Sequence, residues 1–106
     1  PDQENELTSL SDTAIRDLTE FARVAGYEVD TGLLEELGPE ELSFLLATTD
    51  VFSTEEKQQL IELRSTAERM RRATRALDAG RERRAMTQRI QEMLGSDDED
   101  INHLFN

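Results

Sequence analysis

A chain of 106 residues with a formal net charge of −12 and no cysteine has room for one domain with one modest core, and disulfide or thiol chemistry is closed to it. Hydrophobic residues are 36% and charged residues 34%, with four Phe, one Tyr and no Trp, which suits a bundle built on Leu, Ala and Met better than a β-sandwich. Residues 1–63 hold 16 acids against 3 bases, residues 64–89 hold nine Arg against three acids, and residues 90–106 hold five acids and no base. The whole therefore repels nucleic acid and anionic membrane, and only the Arg-rich stretch acts against that.

Residues 1–10 are polar and are expected to be flexible. Helix signals begin at Ser11-Asp12, followed by Ala14, Ile15, Leu18, Phe21, Ala22 and Ala25 at amphipathic spacing. Gly26 is placed to end that helix. Asp30-Thr31 can cap a short second helix carrying Leu33, Leu34 and Leu37. Gly38-Pro39 closes it and opens a third, where Glu40 and Glu41 meet the helix dipole and Leu42, Phe44, Leu45, Leu46 and Ala47 are apolar nearly all round. That helix is expected to be the buried centre.

Ser53-Thr54-Glu55-Glu56 is a capping box, and Ser65-Thr66-Ala67-Glu68 is a second one shortly after. One helix with Leu60, Ile61 and Leu63 should therefore end near Arg64 and another start at once. The new helix aligns Ala67, Met70, Thr74 and Leu77, and Glu68 can pair with Arg72 in the favourable order. Extending Met70 and Leu77 by heptads reaches Arg84, yet the next apolar residues are Ala85, Met86, Ile90, Met93 and Leu94. The apolar face changes phase across Gly80, and a kink or break is expected there.

The expected fold is all-α, a small bundle of about five helices with a last helix free to project. Its parts would be a flexible N-terminus at 1–10, a bundle at 11–79, a C-terminal helix at 80–95 and an acidic–apolar tail at 96–106. Leu18, Phe21, Leu34, Leu37, Leu42, Leu45, Leu46, Leu60, Leu63, Met70 and Leu77 are the core candidates.

No catalytic constellation is legible. The one histidine, His103, sits near the end in an acidic stretch, which leaves a single candidate base for any Ser–His chemistry. The acidic pairs Glu40-Glu41 and Glu55-Glu56 lie at helix starts, where dipole compensation explains them. A calcium loop begun at Asp98 meets His103 where it needs Gly, so no metal is expected. Isolated glycines give neither a P-loop nor a dinucleotide fingerprint, so no cofactor is expected. No apolar run approaches the roughly 20 residues of a membrane span, and Pro1-Asp2-Gln3-Glu4 does not open a signal peptide. The missing cysteines fit the cytoplasm or another reducing compartment.

Protein partners are the remaining class. The Arg-rich helix, through Arg71, Arg72 and Arg75, could dock an acidic protein. It lacks the interleaved aromatics that a nucleic-acid surface uses. Met86, Ile90 and Met93 form a stripe open to a partner or to a second copy. Ile101, Leu104 and Phe105 follow four acids at the spacing of a short helix that docks in a groove.

The stretch Leu42–Leu77 carries Leu46-Ala47, then Glu56-Lys57-Gln58-Gln59-Leu60-Ile61-Glu62, then Ala67-Glu68-Arg69-Met70. In this order it resembles the helical half of the Lon protease N-terminal domain, over roughly residues 12–79. The resemblance implies a module that recognises unfolded or tagged polypeptides, without catalysis of its own. The alternative is an acidic adaptor or regulator acting through its Arg-rich helix or its acidic–apolar tail.

Overall fold

The computed structural model describes residues 2–95, with side chains from Glu4 onward. Ile101, Leu104, Phe105 and His103 lie outside the described residues. Among the described residues the fold is all-α, with five helices and no strand: α1 Asp2–Val24, α2 Thr31–Glu35, α3 Pro39–Ala47, α4 Thr54–Glu62 and α5 Thr66–Met93. None of the helices is long and apolar enough to cross a membrane.

The local signals act as their chemistry requires. Gly26 takes φ +90°, so its N–H reaches the Arg23 carbonyl at 3.1 Å and the Tyr27 N–H reaches Ala22 at 2.7 Å, closing α1 in a Schellman arrangement. The Asp30 carboxylate accepts from the Leu33 N–H at 3.3 Å to start α2. Pro39 is the first residue of α3. Ser53 and Glu56 exchange both capping-box bonds at α4, at 2.9 and 3.2 Å. At α5 the Ser65 hydroxyl accepts from the Glu68 N–H at 3.1 Å, while the Glu68 carboxylate accepts from Arg72 at 2.9 Å as its i, i+4 spacing suggests.

Two expectations about boundaries are corrected. Residues 2–10, expected to be flexible, are the first turns of α1. Leu7 and Leu10 carry the apolar stripe back from Ala14, Leu10 packs against the core, and Glu6 pairs with Arg71 of α5. The second correction concerns Gly80. α5 is one continuous helix of 28 residues through that position, so the chain does not break there. A Cβ at Gly80 would lie 2.7 Å from Val51 Cγ2 and 3.1 Å from Phe21 Cε2. The glycine serves close packing between neighbours, and its cost to helix propensity is outweighed there.

α1 and α5 lie side by side and parallel: Glu6 meets Arg71 near their starts, and the Gln88 amide donates to the Val24 carbonyl at 2.9 Å near the end of α1. Parallel neighbours cannot be joined by a tight turn, so α2, α3 and α4 make the return. α3 packs on both long helices. The core joins Ala14, Leu34, Leu42, Leu46, Ala47, Phe52, Leu60, Met70, Ala73 and Leu77, with Leu18, Phe21, Leu37 and Leu63 packed against it. Leu45 departs from the expected core and is 40% exposed, because α3 buries its Leu42–Ser43–Leu46–Ala47 side. The particle measures 56 × 29 × 19 Å, drawn out along α5.

Candidate protein-interaction site

Beyond Gly80, α5 passes the last turn of α1 and the α3–α4 link, and the three enclose an open groove of about 1020 Å³. Leu18, Phe21, Ala22 and Val51 supply apolar walls, and Tyr27, Arg83, Arg84, Thr87, Gln88 and Gln91 surround them. The link is set by Thr48 and Thr49, whose hydroxyls donate to the Leu45 and Leu46 carbonyls at 2.6 and 2.9 Å and turn the chain after α3. That turn places Val51 against Gly80. Asp50, the one carboxylate lining the groove, is paired with Lys57 at 3.1 Å. Arg83 and Arg84 have no carboxylate partner among the described residues. The groove thus offers apolar contact plus two guanidiniums that form no ion pair among the described residues, a setting for carboxylates carried next to apolar side chains.

Arg69, one member of the Arg-rich stretch, is not on the surface at all. It is 3% exposed, and its guanidinium donates to the Leu60 carbonyl at 2.9 Å, to Ser43 Oγ at 3.0 Å and to the Leu63 carbonyl. Its charge lies 3.9 Å from the centre of the Phe44 ring. The side chain satisfies carbonyls at the C-terminal end of α4 and ties α3, α4 and α5 together. Its spacing was the available signal, since Arg69 stands one turn before the buried Ala73.

The sequence-derived partner residues fall into two groups. Arg71 pairs with Glu6 and Glu68, and Arg72 with Glu68 at 2.9 Å, so both already neutralise acids of this chain. Arg75 is exposed beside Phe52, Gln59 and Ala76 in a shallow depression. Met86, Ile90 and Met93 are 50%, 43% and 76% exposed. The structure does not bring the two groups together, and it adds Tyr27, Val51, Arg83 and Arg84, which the sequence reading did not single out. Tyr27 and Val51 are distant in sequence from α5, so no local pattern could join them to it.

Titration is perturbed at three carboxylates of interest. Burial in the α1–α5 contact, reinforced by Asp78, raises the Asp17 pKa above its ordinary value, against the nearby Arg16 and Arg81. Hydrogen bonding from Ser53 holds Glu56 below the usual carboxylate range, and Arg23 does the same for Glu20. None of these lines the groove. Among the described residues no group of three or more His, Cys, Asp or Glu is arranged to hold a metal ion. Comparison with family models, with curated proteins and with solved structures finds no match.

Proposed function

We propose that this chain is a non-catalytic protein-interaction module that takes a segment of a partner polypeptide into the groove between α1, the α3–α4 link and α5. The observation that carries the reading is the groove's composition: apolar walls beside Arg83 and Arg84, both without carboxylate partners among the described residues. A segment with apolar side chains flanked by carboxylates matches that surface in both respects. The resemblance to the helical half of the Lon N-terminal domain points the same way, toward unfolded polypeptide as the partner. The adaptor reading draws on the same surface, since Arg83 and Arg84 belong to the Arg-rich helix.

Fluorescence anisotropy with a labelled, permanently unfolded model protein and with a short acidic–apolar peptide tests this. Replacing Arg83 and Arg84 together by Glu is expected to weaken binding of the peptide about tenfold or more at low salt, and Tyr27→Ala to weaken both ligands by less. Binding that is indifferent to all three substitutions would remove the groove from the function.

A further inference from the structure

The groove between α1, the α3–α4 link and α5 has apolar walls beside Arg83 and Arg84, and the one carboxylate lining it, Asp50, is paired with Lys57 at 3.1 Å. Directly after α5 the chain carries a segment of complementary kind: Asp97-Asp98-Glu99-Asp100, then Ile101, Leu104 and Phe105. Continuing straight along α5 would set those four acids against the negative end of the helix dipole, beside Glu92 and with no base in the last turn. Gly95 takes φ +96°, with its N–H on the Glu92 carbonyl at 3.3 Å, so the chain leaves the helix axis there. The guanidiniums that line the groove, Arg83 and Arg84, lie back along α5.

We infer that residues 97–105 are the groove's own occupant, running back antiparallel to α5, with their acids against Arg83 and Arg84 and their apolar side chains against Leu18, Phe21 and Val51; this rests on the groove being the binding site. The site is then regulated in cis, and a partner segment enters it by displacing this one. The reach is sufficient. Arg84 lies eleven residues back from Gly95, about 16 Å along the helix at 1.5 Å per residue. Residues 96–100, extended at about 3.3 Å each, span the same distance, which brings Asp100 level with Arg84. Ile101 then arrives within about a turn of Gly80, where Phe21 and Val51 close on α5. The i, i+3, i+4 spacing of Ile101, Leu104 and Phe105 puts the three on one face of a helical turn, a match to the apolar walls. Tethering by so short a connection gives a millimolar-range effective concentration, so individually weak contacts fill the groove.

Nuclear magnetic resonance on the full chain reads the placement directly. The chain has no cysteine, so Asn106→Cys takes a single nitroxide label. The Leu18 and Val51 amide signals are expected to broaden strongly, and to sharpen again when Arg83 and Arg84 are both replaced by Glu or when salt is raised to about 1 M. Signals that stay sharp at Leu18 and Val51, or broadening that survives the charge reversal, would overturn the docking. Broadening on an isotope-enriched chain without nitroxide, mixed with the labelled one, would put the segment in a second copy's groove and overturn the cis arrangement. Anisotropy with a fluorescent synthetic peptide of residues 96–106 reads the regulation. A full chain with Ile101, Leu104 and Phe105 all replaced by Ser should bind that peptide about fivefold or more tighter than the unsubstituted chain, because its groove is free. Equal affinity for the two chains, still lost on replacing Arg83 and Arg84 by Glu, would overturn the cis occupancy and leave the groove as a binding site. No binding to either chain, or affinity indifferent to Arg83 and Arg84, would overturn both.

Discussion

From Thr66 to Gly80, α5 turns Met70, Ala73 and Leu77 into the bundle; from Arg81 to Met93 the same helix turns Met86, Ile90 and Met93 out to solvent. Both halves have the 3.6-residue period of an amphipathic helix, and only the first has its apolar face covered. A periodic stripe therefore reports that a face is apolar, and the rest of the fold decides whether it becomes core or contact surface. Gly80 is the hinge of that contrast in sequence, while the backbone runs through it unbroken.

Two methionines, one from each half, give the largest expected difference. Met70 is fully buried, and Met70→Ala should cost about 2–5 kcal/mol of stability through lost burial and the cavity left behind. Met93 is 76% exposed, and Met93→Ala should stay within about 0.5 kcal/mol. Urea denaturation of both variants measures the gap, and similar losses at the two sites would show that the outer stripe is packed after all.

The arginines repeat the contrast one step smaller. Arg69→Ala removes three hydrogen bonds and the packing over Phe44, with an expected loss of roughly 2–4 kcal/mol as the Leu60 and Leu63 carbonyls lose their donor. Arg89→Ala, on the exposed half, should change stability by less than about 0.5 kcal/mol. An Arg69→Lys chain keeps the charge and loses the fork that serves several acceptors, so it should recover only part of the loss.

What could be read from sequence, and what could not, divides along the same line. Ser53-x-x-Glu56, Asp30, Gly26 and Pro39 act within four residues of themselves, and their helix boundaries were legible for that reason. The first turns of α1 were not, since Glu6 is held by Arg71 from the far end of the chain. Arg69 counted as one more surface charge until α3 and α4 closed over it. At Gly80 the phase change was legible, and a kink or break was expected with it. The helix runs on, and the glycine is there because Val51 and Phe21 occupy the space a side chain would need. The groove joins three elements: Leu18, Phe21 and the Arg-rich run were each legible in their own helix, and only the fold puts them beside Tyr27 and Val51.

Gly80→Ala tests that account at the junction of the two halves. Helix propensity alone favours alanine by about 1 kcal/mol. The added Cβ would stand 2.7 Å from a methyl of β-branched Val51 and 3.1 Å from the Phe21 ring, and neither is the free end of a flexible chain. Overpacking of this kind costs about 1–3 kcal/mol, so a net loss of about 1 kcal/mol is expected. Stabilisation on thermal melting would mean that Val51 moves aside and that Gly80 does not set the spacing. Val51→Ala should relieve the clash and bring the Gly80→Ala penalty down in a double-mutant cycle.

The smallest effect comes through pH and belongs to the packed half of α5. Asp17 faces Asp78 across the α1–α5 contact, and its side chain is 14% exposed. Burial first, and then the Asp78 charge, raise its pKa in the folded chain. The folded protein therefore holds that proton to higher pH than the unfolded chain does. Where the folded state binds more protons, stability falls as pH rises. Asp17 thus withdraws stability between its ordinary value of 3.8 and its raised folded value, and the loss persists at neutral pH. Glu56 works in the opposite sense: its lowered pKa gives stability that is present above the ordinary value and lost on acidification. Asp17→Asn should accordingly stabilise the chain at pH 7, with the advantage shrinking as the pH is lowered through that window. Equal gains at pH 3 and pH 7 would assign the effect to packing of the amide and not to the buried charge.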